Sequence, residues 1–235
     1  MVAAAVFFIP AGLRGGDFVY FFGETFSGSS PSAEPPWLSA GFQSVGEDRV
    51  RLTVRTLNLG GAENVKALYF NLNPALDPDE LTVELFGGSG GFRLPRMGIE
   101  TDRFKAGGSG RYDLKLQFAV GGNADTRFTA GDYFVCEFHG VPGLAPSDFA
   151  FLSSPVGWGG QALYAAAHVQ RIGTESCSGW LFAGAPVPVP VPEPGPTRLW
   201  VLAGIIWLVF GWLRQGWTLA PAPRLQPVSS RQKQR

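Results

Sequence analysis

The sequence predicts an all-β protein, a β-sandwich of jelly-roll type, followed by a C-terminal proline-rich linker and a single transmembrane helix. Three observations carry this. The composition is rich in turn formers and aromatics, with 32 Gly, 19 Pro and 19 Phe, which suits short strands joined by many turns. Several segments alternate polar and apolar residues with a period of two, the mark of a half-buried strand. A valine-proline run and an uncharged apolar stretch then close the chain.

Taken in order, residues 1–16 read as a partial signal peptide. Met1 to Leu13 supply an apolar region and small residues but lack the basic stretch that should precede them. The body, 17–184, holds about eight short strands. Phe18 to Phe22 is a dense aromatic run, and Arg49 to Arg55 alternates strictly. Ala67 to Leu72 follows, ended by Asn73-Pro74, and Leu81 to Phe86 alternates again. Tyr112 to Phe118 puts Tyr112, Leu114, Leu116 and Phe118 inward and Asp113, Lys115 and Gln117 outward. Tyr133 to Phe138, Asp148 to Leu152 and Tyr164 to Ile172 complete the set. Glycine-rich joints such as Gly87-Gly88-Ser89-Gly90-Gly91 separate strands without opening a helix, which argues against a phosphate cradle.

Residues 185–198 are the linker, with proline at every second position from Pro186 to Pro196. Such a run is expected to stay out of the sheet and to extend as a polyproline spacer. Residues 199–219 are expected to form a transmembrane helix. Leu199 to Leu213 alone would cover only about 22 Å, short of the roughly 30 Å apolar core, so the span runs on to Leu219 with Arg214 reaching for the interface. Residues 220–235 are a basic cytoplasmic tail, and basic residues behind the span place the body outside.

Charge and site chemistry narrow the function. Between Asp17 and Pro192 the chain carries 18 acidic and 12 basic residues, a formal −6, which argues against nucleic-acid binding. The two cysteines, Cys136 and Cys177, suggest one disulfide in an exported protein, worth about 4 kcal/mol; two buried unpaired thiols are the alternative. The histidines, His139 and His168, make no catalytic constellation, and His168 reads as a strand histidine bonded to a neighbour. Asp77, Asp79 and Glu80 read as solvated loop acids, without the spacing of an EF-hand. No cofactor, catalytic residue or metal site is expected. Trp37, Trp158 and Trp180 would line a sugar-binding face if they cluster in the open, since flat apolar rings stack on pyranose faces; otherwise they belong to the core.

The tail has a tripartite order: Val191-Pro192-Glu193-Pro194, a short apolar helix, then Arg214. This resembles the PEP-CTERM sorting signal read by exosortases in Gram-negative bacteria. The body resembles a set of such sorted proteins through Pro35 to Leu38, Phe70 to Leu72, Ala166 to Gln170 and Ser178 to Trp180. The resemblance implies export, an inner-membrane-anchored precursor, and cleavage near Pro192-Glu193-Pro194 by an exosortase-type transpeptidase. Delivery to the envelope or extracellular matrix follows. This chain departs from the signal's usual form: Arg214 stands where a cluster of arginines is usual, and the tail continues for 21 residues beyond it. The expected function is a non-enzymatic structural or adhesive component of an exopolysaccharide matrix. A carbohydrate-binding module and a secreted hydrolase are the alternatives, and an anchored protein that is never cleaved is a further one.

Overall fold

Strict alternation becomes a sheet where its apolar side finds a partner. The computed structural model describes residues 16–89, 91–154 and 161–189. Within them are twelve strands: β1 (Phe18–Gly28), β2 (Leu38–Gly46), β3 (Arg49–Thr56), β4 (Asn64–Phe70), β5 (Thr82–Gly88), β6 (Arg96–Lys105), β7 (Arg111–Gln117), β8 (Phe128–Thr129), β9 (Tyr133–His139), β10 (Ala165–Ile172), β11 (Cys177–Ala183) and β12 (Val187–Pro188). The all-β class is as the sequence predicts. The strands form one sheet in the order β5-β9-β3-β2-β1-β11-β10-β4-β7-β6, with β12 beside β1 and β8 beside β4.

The sheet folds over on itself because β1 serves both halves. Its first residues, Phe18 to Phe22, pair with Phe42 to Leu38 of β2, and its last, Phe22 to Gly28, pair with Ala183 to Gly179 of β11. Register shifts between Phe22 and Glu24 and between Thr25 and Ser27 bend the strand at the handover, as bulges do. The halves then face each other: Phe42 of β2 meets Phe70 of β4 edge-on at 5.3 Å, and Phe134 of β9 meets Phe118 at 6.1 Å. Alternation explains who goes inside. In β3, Val50, Leu52 and Val54 are fully buried, while Arg49 and Arg55 point out.

The segment 148–152 departs from expectation. Pro146–Phe149 is a short 3₁₀ turn, not a strand, started by Pro146 and held by the Asp148 carboxylate on the Ala145 N–H at 2.9 Å. The turn drives Phe149 into the core, where it stacks on Phe42 at 4.8 Å and packs on Phe138 at 4.9 Å. Tyr20 donates its hydroxyl to the Phe149 carbonyl at 3.0 Å, so the one polar atom of a fully buried ring is satisfied.

The linker departs too. Its first part is not a free spacer: Val187–Pro188 pair with Val19 and Phe18 as β12. An edge strand needs only alternate N–H groups on its inner side, and here valines hold those positions. The signal-peptide residues 1–15, Trp158, the sorting residues Val191, Pro192, Glu193, Pro194 and Arg214, the apolar segment 199–219 and the tail 220–235 lie outside the described residues. Among the described residues, no helix is long and apolar enough to cross a membrane.

Candidate functional site

Register decides which side chains share a face. Phe21 pairs with Ser39, Ser39 with Arg55, and Arg55 with Tyr133, so one row crosses β1, β2, β3 and β9. The adjacent row is Val19, Gly41, Thr53 and Val135; a third is Gln43, Arg51, Glu137 and Glu84. Residues two apart on a strand point the same way, so the three rows make one surface on the side of the sheet away from the core. At about 4.8 Å per strand, Phe21 and Tyr133 stand roughly 14 Å apart.

This surface is mixed in character, with exposed and covered positions side by side. Phe21 is 43% exposed and Tyr133 36% exposed, large apolar groups left in water at the two ends of a row. Between them in the row stand Ser39, which is buried, and Arg55. Arg55 lays its guanidinium over the Tyr133 ring, 5.1 Å from its centre. In the third row Glu137 is nearly covered although it faces outward, because Arg51 grips it at 2.6 and 3.0 Å and Arg49 at 3.2 Å. Planar polar groups are thereby held rigid at the level of the sheet.

The opposite half-sheet is different: its outer side carries a second aromatic cluster. Trp180 of β11 stacks flat on His168 of β10, 4.2 Å apart and 9° from parallel. Tyr69 of β4 lies 5.7 Å from Trp180 and Phe26 lies 6.3 Å from it. The turn after β6 rests on this cluster, since a Cβ added at Gly107 would stand 2.7 Å from Trp180 Cγ. Gly107 also has φ +52°, which glycine adopts at no steric cost. The Nε2 of His168 is buried with no hydrogen-bond partner, so the bonded strand histidine expected from sequence is instead a stacked one. Burial first, and Lys66 second, lower its pKa to about 4. Burial likewise pushes the Tyr69 hydroxyl up to about 12, with Tyr112 adding to it.

A cleft of about 510 Å³ opens at the end of β4, lined by Asn71, Asn73, Leu76, Asp77, Asp102 and Asp113 among others. Two of its acids are occupied with the backbone. Asp113 accepts from the Leu72 and Asp102 N–H groups at 2.9 and 2.7 Å, and burial raises its pKa. Asp77 accepts from the Asp79 N–H at 2.9 Å. Neither His139 nor His168 lines the cleft. Among the described residues, no group of three or more His, Cys, Asp or Glu gathers in metal-binding proximity.

The residues nominated from sequence are thus dispersed. Trp37 is a core residue, 5% exposed, with its indole N–H on the Ala33 carbonyl at 2.6 Å. It is removed from the glycan set. Trp180 is half-buried in the second cluster and does not share the open surface. Cys136 and Cys177 are both free, in place of the expected disulfide. Burial, with Glu137 adding, pushes the Cys136 thiol up. The row of Phe21, Arg55 and Tyr133 was missed, although the aromatic run at Phe18 to Phe22, the arginines of 49–55 and the stretch Tyr133 to Phe138 signalled three of the four strands it crosses.

No protein-family model matches the chain. No curated protein matches it either. Among solved structures it is similar to a biomass-sensing module of RsgI-like proteins from Clostridium thermocellum, described as resembling a family 3 carbohydrate-binding module of the cellulosome. That similarity has a TM-score of 0.28 and 12% identity, over 65% of this chain and 91% of the other.

Proposed function

We propose that this chain is an exported, non-enzymatic β-sandwich module of jelly-roll type that holds polysaccharide at the cell surface through the open face of β1, β2, β3 and β9. One observation carries the reading: an outer sheet surface with exposed rings at both ends of a row and fixed planar polar groups beside it. Exposed rings suit the apolar faces of sugars, while guanidinium and amide groups such as Arg55 and Gln43 suit their hydroxyls. The tail supports the cellular half of the proposal. Val191-Pro192-Glu193-Pro194, the apolar stretch 199–219 and Arg214 fit a precursor held in the inner membrane and processed by an exosortase-type transpeptidase. Exopolysaccharide is then the ligand within reach.

The binding half is tested by electrophoresis of the protein through gels containing exopolysaccharide. Retardation is expected for the wild type. Phe21→Ala and Tyr133→Ala are each expected to weaken it by about tenfold, the loss of one ring contact of about 1.4 kcal/mol. Retardation that survives both substitutions together would refute this face as the site. The cellular half is tested with one epitope at Gly108, a turn position open to solvent, and another after Arg235, in a host with the sorting machinery. Loss of the second tag that depends on Pro192-Glu193-Pro194 supports sorting, and its retention on a membrane-bound chain refutes it.

A further inference from the structure

Strand β11 covers only part of β1. Its last paired residue, Ala183, stands opposite Phe22, which leaves the stretch from Asp17 to Phe21 with β2 on one side and a bare edge on the other. That edge is filled by the valine-proline run: Val187 pairs with Val19, Pro188 with Phe18, and the Val189 N–H donates to the Asp17 carbonyl at 2.9 Å. In an antiparallel pair only every second residue turns its N–H and C=O toward the partner. Valine occupies those inward positions. Pro188 turns its nitrogen outward, where β12 has no neighbouring strand among the described residues, so the missing donor costs nothing.

We propose that the β1 edge from Asp17 to Val19 is a binding site for an extended valine-proline strand, filled by the chain's own segment, and that the alternation makes this segment a one-sided strand. Its inner side fastens to β1. Its outer side offers carbonyls without donors at the prolines, so a second copy cannot add to the sheet there. The prolines therefore end the sheet, and the valines bind the start of the tail to the body. This inference stands on the register and does not depend on the ligand of the open face.

Parity is the test. In the full chain, Val187→Pro with Val189→Pro removes the inward donors, whereas Pro188→Val restores an outward one. Hydrogen exchange of the peptide covering Asp17 to Phe21 is followed by mass spectrometry, with β3 and β9 peptides as the measure of folding. The double valine variant is expected to exchange at least tenfold faster in that peptide alone. A synthetic peptide Ala-Pro-Val-Pro-Val-Pro-Val, added in trans, is expected to restore protection. Pro188→Val is expected to keep protection and to gain self-association by light scattering. Unchanged exchange in the double variant, or equal loss of protection in Pro188→Val, would overturn the proposal.

Discussion

His168 couples the second aromatic cluster to pH. The ring is only 9% exposed, stacked on Trp180, and its Nε2 has no partner, so charging it there is unfavourable. Its pKa falls from 6.5 to about 4, burial being the larger cause and Lys66 the smaller. A base whose pKa is lowered by folding binds its proton more readily when unfolded. Stability is therefore flat above about pH 6.5 and declines as pH falls toward about 4. At about 1.4 kcal/mol per pH unit, the full loss is about 3 kcal/mol, of which about 2.5 kcal/mol is present by pH 4.5. Asp113, whose pKa is raised, acts in the opposite sense at the acid end, so the wild type alone does not isolate the histidine. The measurement is urea unfolding by circular dichroism at pH 7.5 and pH 4.5, for wild type and His168→Gln. The wild type is expected to lose about 2.5 kcal/mol more than the variant between those pH values. Equal losses in the two proteins would refute the argument.

Three further outcomes follow from the geometry. Tyr20→Phe strands the buried Phe149 carbonyl and is expected to cost about 1–2 kcal/mol in urea unfolding, with the fold intact. Glu137→Gln leaves Arg49 and Arg51 facing a neutral amide; because both guanidiniums are near half exposed, the cost is expected at about 1–2 kcal/mol, reduced by added salt. A thiol reagent is expected to label Cys177 in the native protein and Cys136 only on unfolding, giving two separate phases, whereas a disulfide would give none.

The period-two pattern made β3, β5 and β7 legible without any structure. Residues 49–55 alternate so strictly that both strand type and buried side could be assigned, since alternation is a property of the local backbone. In 112–118 the strand was legible but not every side: Asp113, expected outward, is buried on the Leu72 and Asp102 N–H groups, and Tyr112, expected beside Leu114 and Leu116, packs on Tyr69 in the second cluster. β2 was not legible. Leu38–Gly46 is built of small and polar residues around Leu38, Ala40 and Phe42, and its strand state comes from full pairing with β1 and β3 on both sides. The stretch 148–152 looked like a strand because Phe149, Phe151 and Leu152 are apolar, yet Pro146 and the Asp148 cap turn it into a plug for the core.

By itself, then, the sequence determined that the body is β-rich, that 49–55 bury one side, and that a valine-proline run follows. Only the tertiary structure decided that Trp37 lies inside, that Phe21, Arg55 and Tyr133 share one open row, and that Val187 and Val189 belong to the sheet. The physical reason is range. Periodicity records which way a side chain points from its own strand, but a shared face requires the register between strands far apart in sequence. Tyr133 meets Arg55, and Val187 meets Val19, only once the whole sheet has closed.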